Sequence, residues 1–277
     1  MKLERSTVAA GLKKPVKILH VTDSHVALAD GRDDERKRAL ANRLGFPDKE
    51  KYLYEQIEYA EKNCDLLVHT GDLTDFVSHA NTEFARKILQ NEKIFFIAGN
   101  HDYSQYVGEA WEDKAYRMNS YMQMGGGFGV PMFFNSRITG GVNIVGIDDG
   151  YYLFEDWQLW RLKREVEKGY PVILAIHDPI FEESLYLYHR LRLPEEPTYL
   201  VGCDEEHLLP YSEFRAVQQR PDAPTLRMIE YIKSEPAVKA VLAGHLHFNF
   251  ESELRDGLPQ FVTAGGYEGW AREITLI

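Results

Sequence analysis

The sequence predicts an α/β protein in which two packed, mixed β-sheets are flanked by helices. Three observations carry that reading. Five short apolar runs rich in Val and Ile, at residues 16–21, 66–68, 94–98, 172–176 and 238–243, read as strands of a sheet covered on both faces. Segments with helical apolar spacing lie between them, as right-handed crossovers between parallel strands require. Residues 248–277 are divided by Asp256-Gly257 and Gly265-Gly266 into pieces that read as strands of a second sheet.

Residues 1–15 carry charges without an apolar core and are expected to be a loosely held arm, leaving 16–277 as the folded domain. Residues 31–37 are highly charged and read as loop. Residues 48–62 set Tyr52, Leu53, Ile57 and Ala60 near helical spacing, and 81–91 do the same with Phe84, Ile88 and Leu89 inward. Ile138, Val142, Ile144, Val145 and Ile147 suggest a hairpin turning at Gly140-Gly141. Residues 155–168 read as a helix whose core-facing side is Trp157, Trp160, Leu162 and Val166. A further helix, 225–234, starts after Pro224. Two segments do not fit the core pattern: 103–135, with Gly125-Gly126-Gly127, and 181–223, rich in Tyr, Arg, Glu and Pro. Long connections in compact domains are commonly functional, so both are expected to be cap insertions over one edge of the sheets.

Each of the five apolar runs leads into side chains that bind metals. They deliver D-x-H at Asp23 and His25, G-D-x-x-D at Asp72 and Asp75, and G-N-H-D at Asn100, His101 and Asp102. A single His177 and G-H-x-H at His245 and His247 complete the set. In covered parallel sheets the site lies beyond the carboxyl ends of the strands, so residues far apart in sequence meet at one edge. Asp23 and His25 are two apart and share a face in an extended segment, as do His245 and His247. Carboxylate, imidazole and amide donors suit Mn, Fe or Zn, and the lack of a thiolate cluster argues against iron–sulfur or structural zinc sites.

Any one block is weak, but the full ordered set resembles the calcineurin-like metallophosphoesterase family, from Asp23 to His247. The resemblance implies an α/β/β/α sandwich and a centre of two divalent or trivalent transition metals. One metal would take Asp23, His25, Asp72 and His247, and the other Asp72, Asn100, His177 and His245, with Asp72 as the bridge. Two metals ~3.5–4 Å apart can clamp an in-line displacement at phosphorus. The resemblance also places His101 against substrate, to stabilise developing charge or protonate the leaving oxygen. Asp75 would hold that ring, although on its own it reads equally as a helix N-cap. Asp102 reads as a turn residue and Asp148-Asp149 as a turn or support for ligands. His20 and His69 read as packed strand residues, and His79, His189 and His207 as surface residues. Asp178 stands where many relatives have a second histidine.

Composition narrows the partners. The chain has 277 residues, 44% of them hydrophobic, and a net charge of -11 from 32 Lys+Arg against 43 Asp+Glu. That balance argues against a nucleic-acid-coating surface and suits a small-molecule phosphoester substrate. Two cysteines, Cys64 and Cys203, are too few for a disulfide framework. No apolar stretch approaches the ~18 residues of a membrane span. With no signal-like start, a cytoplasmic protein is expected.

Departures from sister groups point to a substrate class. Protein serine/threonine phosphatases carry glycine and arginine where this chain has Val26 and Phe76. Purple acid phosphatases carry tyrosine in place of Asp75 and glycine in place of His25, and lipid A precursor hydrolases carry arginine in place of His101. What remains resembles the small phosphodiesterases. The alternatives are a phosphomonoesterase or nuclease using the same metals, and a metal-binding scaffold whose catalysis has lapsed.

Overall fold

The computed structural model describes residues 1–45, 49–107, 113–209 and 211–277. The strands are β1 (Lys2–Val8), β2 (Val16–Val21), β3 (Leu66–His69), β4 (Ile94–Phe96), β5 (Phe134–Thr139), β6 (Val142–Ile147), β7 (Val172–Ala175), β8 (Val238–Ala243), β9 (Phe250–Arg255), β10 (Leu258–Val262) and β11 (Trp270–Leu276). The helices are α1 (Glu35–Leu44), α2 (Lys49–Asn63), α3 (His79–Ile88), α4 (Lys114–Gln123), α5 (Asp156–Val166), α6 (Glu183–Arg192), α7 (Glu205–Leu208), α8 (Glu213–Gln219) and α9 (Ala223–Ser234).

Two mixed sheets result, ordered β1-β11-β2-β3-β4 and β5-β6-β7-β8-β10-β9. β2, β3 and β4 run parallel in the first, and β6, β7, β8 and β10 in the second. The sheets pack through inward residues such as Ile18, Val68 and Phe95 from one and Ile144, Ile173 and Leu242 from the other. α2 and α3 cover the outer face of the first sheet, and α5 and α9 that of the second. Side chains of a strand alternate between faces, so both faces of β2, β3, β7 and β8 must be apolar, and no charged residue interrupts the buried run in β3 or β7. The predicted two-sheet architecture is therefore observed, with the hairpin turning at Gly140-Gly141, but the five apolar runs do not share one sheet: β2, β3 and β4 lie in the first and β7 and β8 in the second.

Several local expectations are corrected. The N-terminal residues are not a loose arm: β1 pairs in parallel with β11 from Lys2 to Val8, and the Ala10 and Gly11 N–H groups both donate to the Ile277 carbonyl. β1 is an edge strand, and its polar composition hides it from a search for apolar runs. The charged run 31–37 is loop only to Asp34, whose side chain caps α1 by accepting from the Lys37 N–H. Residues 248–277 do not all join the second sheet. β9 and β10 do, but β11 returns to pair antiparallel with β2. On α5 the core side is Leu159, Leu162, Gln158 and Glu165, while Trp157 and Trp160 are exposed at 38% and 63%. Residue 48, the expected start of α2, lies outside the described residues.

Of the two expected insertions, 103–135 holds α4, adds Tyr103, Met124, Phe128 and Met132 to the core on the first sheet's outer face, and ion-pairs Arg117 with buried Asp148 at 3.0 Å. Segment 181–223 folds into α6, α7 and α8 around its own small core of Leu185, Leu200, Cys203 and Leu208, seated on Leu246 and Phe248.

Candidate metal centre

The turns after β2, β3, β4, β7 and β8 bring all seven expected ligands to one edge. Three groups have ligand atoms close enough to share an ion: Asp23, His25 and His247; His25, Asp72 and His101; Asp72, His177 and His245. The backbone is bent to achieve this. Asp23, His25, Asp72, His245 and His247 all adopt left-handed conformations, with φ of 51°, 47°, 53°, 67° and 55°. Such residues cost ~1–3 kcal/mol each and persist where surrounding structure fixes them. Two glycines are required by close approach. A Cβ on Gly99 would lie 2.3 Å from Asp72 Oδ1, and one on Gly244 would lie 1.9 Å from Thr22 Oγ1.

Hydrogen bonds decide which atom of each side chain faces the centre. Asp23 Oδ2 accepts from the Thr22 hydroxyl at 2.7 Å and the His245 N–H at 2.9 Å, leaving Oδ1 towards His247 Nε2 at 3.2 Å. Asp72 Oδ1 accepts the His101 N–H at 2.8 Å. Its Oδ2 is left between His177 Nε2 at 3.2 Å and His25 Nε2 at 3.7 Å, so one carboxylate faces both groups. His177 Nδ1–H donates to the Thr70 carbonyl at 2.7 Å, which fixes the tautomer and leaves Nε2 facing Asn100 Oδ1 at 3.2 Å. His25 Nδ1–H donates to Asp75 Oδ1 at 2.9 Å, and its Nε2 lies 3.1 Å from His247 Nε2.

These contacts test whether the residues fit metal ions. Carboxylate oxygens, an amide oxygen and imidazole nitrogens converge in one largely buried space, and on His25 and His177 the other ring nitrogen is tied away. Such a set repels itself unless protons or cations intervene. Burial would lower the His25 pKa, but Asp23 and Asp75 outweigh it and raise it to about 10. His177 is raised well above its usual range against burial, with Asp72 as the main cause. The cluster thus calls for positive charge where ligand atoms meet, and oxygen–imidazole donors fit two ions of the Mn, Fe or Zn type.

Asp75 is a hub rather than a helix cap, since Ser78 caps α3. His101 Nδ1 lies 3.0 Å from the Asp75 carbonyl oxygen and 3.0 Å from its Oδ1. Burial pushes Asp75 up, but hydrogen bonds from His101 and His25 hold it well below the usual carboxylate range. Burial likewise opposes a charged His101, yet Asp72 and Asp75 raise its pKa above 6.5. Asp102 accepts from the Gly99 and Thr74 N–H groups at 3.0 and 2.9 Å, so it braces its turn, as expected. Asp149 accepts from the His177 and Asp178 N–H groups at 3.3 and 2.8 Å, supporting a ligand. Asp178 is fully buried, with Oδ1 3.1 Å from His245 Nδ1.

Sequence reasoning missed several members. Lys49 is buried, with Nζ 3.5 Å from Asp75 Oδ2, and Tyr267 lies edge-on to His25 and His247. His189, expected at the surface, is buried and lines the cleft, and burial lowers its pKa to about 4. The cleft above the ligands measures about 320 Å³ and takes His189, Leu193, Glu196, Tyr199 and Arg215 from the 181–223 segment, but only Ser104 from 103–135.

A two-sheet sandwich whose strand ends gather this donor set is the frame of a metal-dependent phosphoesterase. The family model for calcineurin-like phosphoesterases matches residues 16–249, and the chain belongs to that family. A probable cyclic nucleotide phosphodiesterase from Psychrobacter arcticus is 35% identical over 98 residues, which span only 34% of this chain and 34% of that protein. The fold is shared with a dimetal phosphatase from Danio rerio, at 14% identity and TM-score 0.50 over 92% of this chain and 89% of that one. It is also shared with the purple acid phosphatase PPD1 of yellow lupin, at 14% identity and TM-score 0.51 over 95% of this chain and 45% of that one. Among the described residues, no helix is long and apolar enough to cross a membrane.

Proposed function

We propose that the protein is a binuclear hydrolase of small-molecule phosphodiesters. One ion would be held by Asp23, His25, Asp72 and His247, and the other by Asp72, Asn100, His177 and His245. Such ions, when bound, polarise phosphoryl oxygens and supply a nucleophile from water at neutral pH. The chain's own residues do the rest. Asp72 would serve both ions, because its Oδ2 stands between His177 and His25. Asp75 fixes the His25 and His101 rings. His101, whose charged form Asp72 and Asp75 favour against burial, donates its proton to the departing oxygen. Asp75 and the raised His101 pKa supply the protonated group that this role needs.

The observation that carries the reading is His101 itself. It is half-buried, lines the cleft beside both ligand groups, and is held by Asp75. A lapsed scaffold would have no need to keep that arrangement. The diester preference rests on charge. Among the described residues lining the cleft, Arg215 is the only Lys or Arg, and it stands on the 181–223 segment. A monoester dianion brings more negative charge than a diester and gains most from cationic forks at the phosphate. The name of the Psychrobacter relative fits this choice. We further propose 181–223 as the cap that selects substrate.

The test compares bis-p-nitrophenyl phosphate with p-nitrophenyl phosphate in the presence of Mn, Fe or Zn. The diester is expected to be the better substrate. His101→Asn should keep both metals and lose roughly two to four orders of magnitude in rate. Turnover of neither compound by metal-loaded protein would refute the hydrolase reading.

A further inference from the structure

Seven non-glycine residues have left-handed backbone among the described residues, and five are the candidate ligands above. The other two are Tyr152, with φ of 73°, and Tyr199, with φ of 51°. They come from different parts of the chain: Tyr152 follows β6, and Tyr199 lies in the cap between α6 and α7. Their rings nevertheless stack on each other, with centroids 6.0 Å apart and planes at 27°. Both meet the ring of His245 edge-on, Tyr199 at 5.5 Å and Tyr152 at 5.8 Å. Both line the cleft.

Packing accounts for Tyr152, which is buried in the second sheet's core. Tyr199 packs against both the second sheet's core and the cap's own core, yet it stays half-exposed in the cleft. A glycine would hold a left-handed backbone without strain, yet the chain places a large ring there. Next to that ring stands Arg215, whose guanidinium carbon is 5.5 Å from the Tyr199 centroid. Among the described residues, Arg215 has no carboxylate at ion-pair distance, and its side chain instead donates to Gln218 at 2.8 Å. A half-buried cation left uncompensated in a chain of net charge -11 is placed for an anionic ligand.

We infer that Tyr199, backed by Tyr152, and Arg215 form the subsite that takes the organic group of the diester. Its ligand class is an anionic phosphoester whose alcohol carries a planar aromatic ring, as a nucleoside does. The ligand ring packs against Tyr199 by displacing the guanidinium that lies 5.5 Å from its centroid, and the displaced cation meets the ligand's negative charge. This inference rests on the hydrolase reading above and names what its cap selects.

The variant Tyr199→Gly removes the ring while leaving a residue suited to the backbone. The first measurement is the ratio of kcat/KM for 2′,3′-cyclic AMP over that for glycerophosphoethanolamine, which has no ring. The ratio should fall roughly tenfold in Tyr199→Gly and recover in Tyr199→Phe. An unchanged ratio, or a lowered Tm with no change in ratio, would show that Tyr199 only packs the cap and would overturn the inference. The second measurement needs no turnover: saturation-transfer NMR of adenosine with the wild-type protein. Transfer to the adenine protons that Tyr199→Gly abolishes supports the subsite even if neither diester is hydrolysed. No transfer in the wild type overturns it.

Discussion

Asp75→Asn probes how one carboxylate serves two histidines. The wild-type side chain is buried and accepts from His25 at 2.9 Å, with His101 Nδ1 at 3.0 Å and Lys49 Nζ at 3.5 Å. Asparagine keeps the shape and one acceptor oxygen but loses the charge. It also turns an NH2 donor towards the Lys49 ammonium, so one contact becomes repulsive. A hydrogen bond to a charged group is worth ~1.5–3 kcal/mol against ~0.5–1.5 for a neutral one. Losing roughly 1 kcal/mol at each of two histidines gives about 2 kcal/mol, or roughly thirtyfold. The His25 share, about fivefold, should lower affinity for the ion at Asp23, His25 and His247, read as metal content after dialysis against graded chelator. Turnover of bis-p-nitrophenyl phosphate should drop by the full factor of roughly thirty.

The pH profile gives the sharper readout. His101 acts when protonated, and its folded pKa lies above 6.5 because Asp72 and Asp75 outweigh burial. Activity is therefore present below that raised pKa and is lost as pH rises through it. Removing the Asp75 charge should move this limb to lower pH. Lys49→Met removes the cation that competes for Asp75 and should move it to higher pH. Asp75→Asn protein with full metal content and an unmoved limb would refute the hub assignment.

Much of the fold could be read because burial on both faces forces continuous apolar runs, and these mark β2, β3, β4, β7 and β8 directly. The ligands were legible for a related reason, since strand ends are where such a sheet can hold polar groups. The failures share a different cause. β1 gains stability from pairing with β11 rather than from an apolar run, so Lys2–Val8 gave no signal. The face of α5 was misread because Trp157 and Trp160 are bulky and apolar, whereas the tertiary surroundings bury Gln158 and Glu165 instead. Gln158 is bound to the Asp148 carbonyl and the Glu155 N–H, and Glu165 to Asn143. Lys49 and His189 carry no motif at all. Only the packing of α2 and α6 reveals that they face the site.

The remaining expectations concern the bridge, the tight turn and the buried histidines. Asp72→Asn should lose metal from both sites and at least ten- to a hundredfold in activity, because its Oδ2 faces both groups; two tightly held metals with normal turnover would exclude the bridging role. Gly99→Ala places a Cβ 2.3 Å from Asp72 Oδ1, so it should cost roughly 1–3 kcal/mol in stability and lower metal content, and an unchanged urea midpoint would contradict the close approach. The last concerns His20 and His69. Burial is the main cause that lowers both to about 3. His20 is satisfied as a neutral ring by the Thr70 and Thr263 hydroxyls, each at 2.8 Å, whereas His69 meets the Ser24 hydroxyl at 2.9 Å through Nε2 alone and, among the described residues, its buried Nδ1 has no partner. Their unfolded pKa is about 6.5, so the unfolded chain takes up protons that the folded chain refuses. Stability from these groups is present above pH 6.5 and is lost as pH falls from there towards 3. Below pH 6.5 each approaches a slope of ~1.4 kcal/mol per unit, so the pair loses about 3 kcal/mol between pH 7.5 and 5.5. Other groups titrate in the same window, including ligand histidines, so the wild type alone cannot isolate this loss. The metal-loaded wild type and His69→Gln should therefore be compared by urea unfolding at both pH values. Glutamine can still bond to Ser24 but does not titrate, so the variant's loss between the two pH values should be smaller by about 1.4 kcal/mol. Equal losses in the two proteins would mean that His69 is already charged in the folded state or stays neutral in the unfolded one.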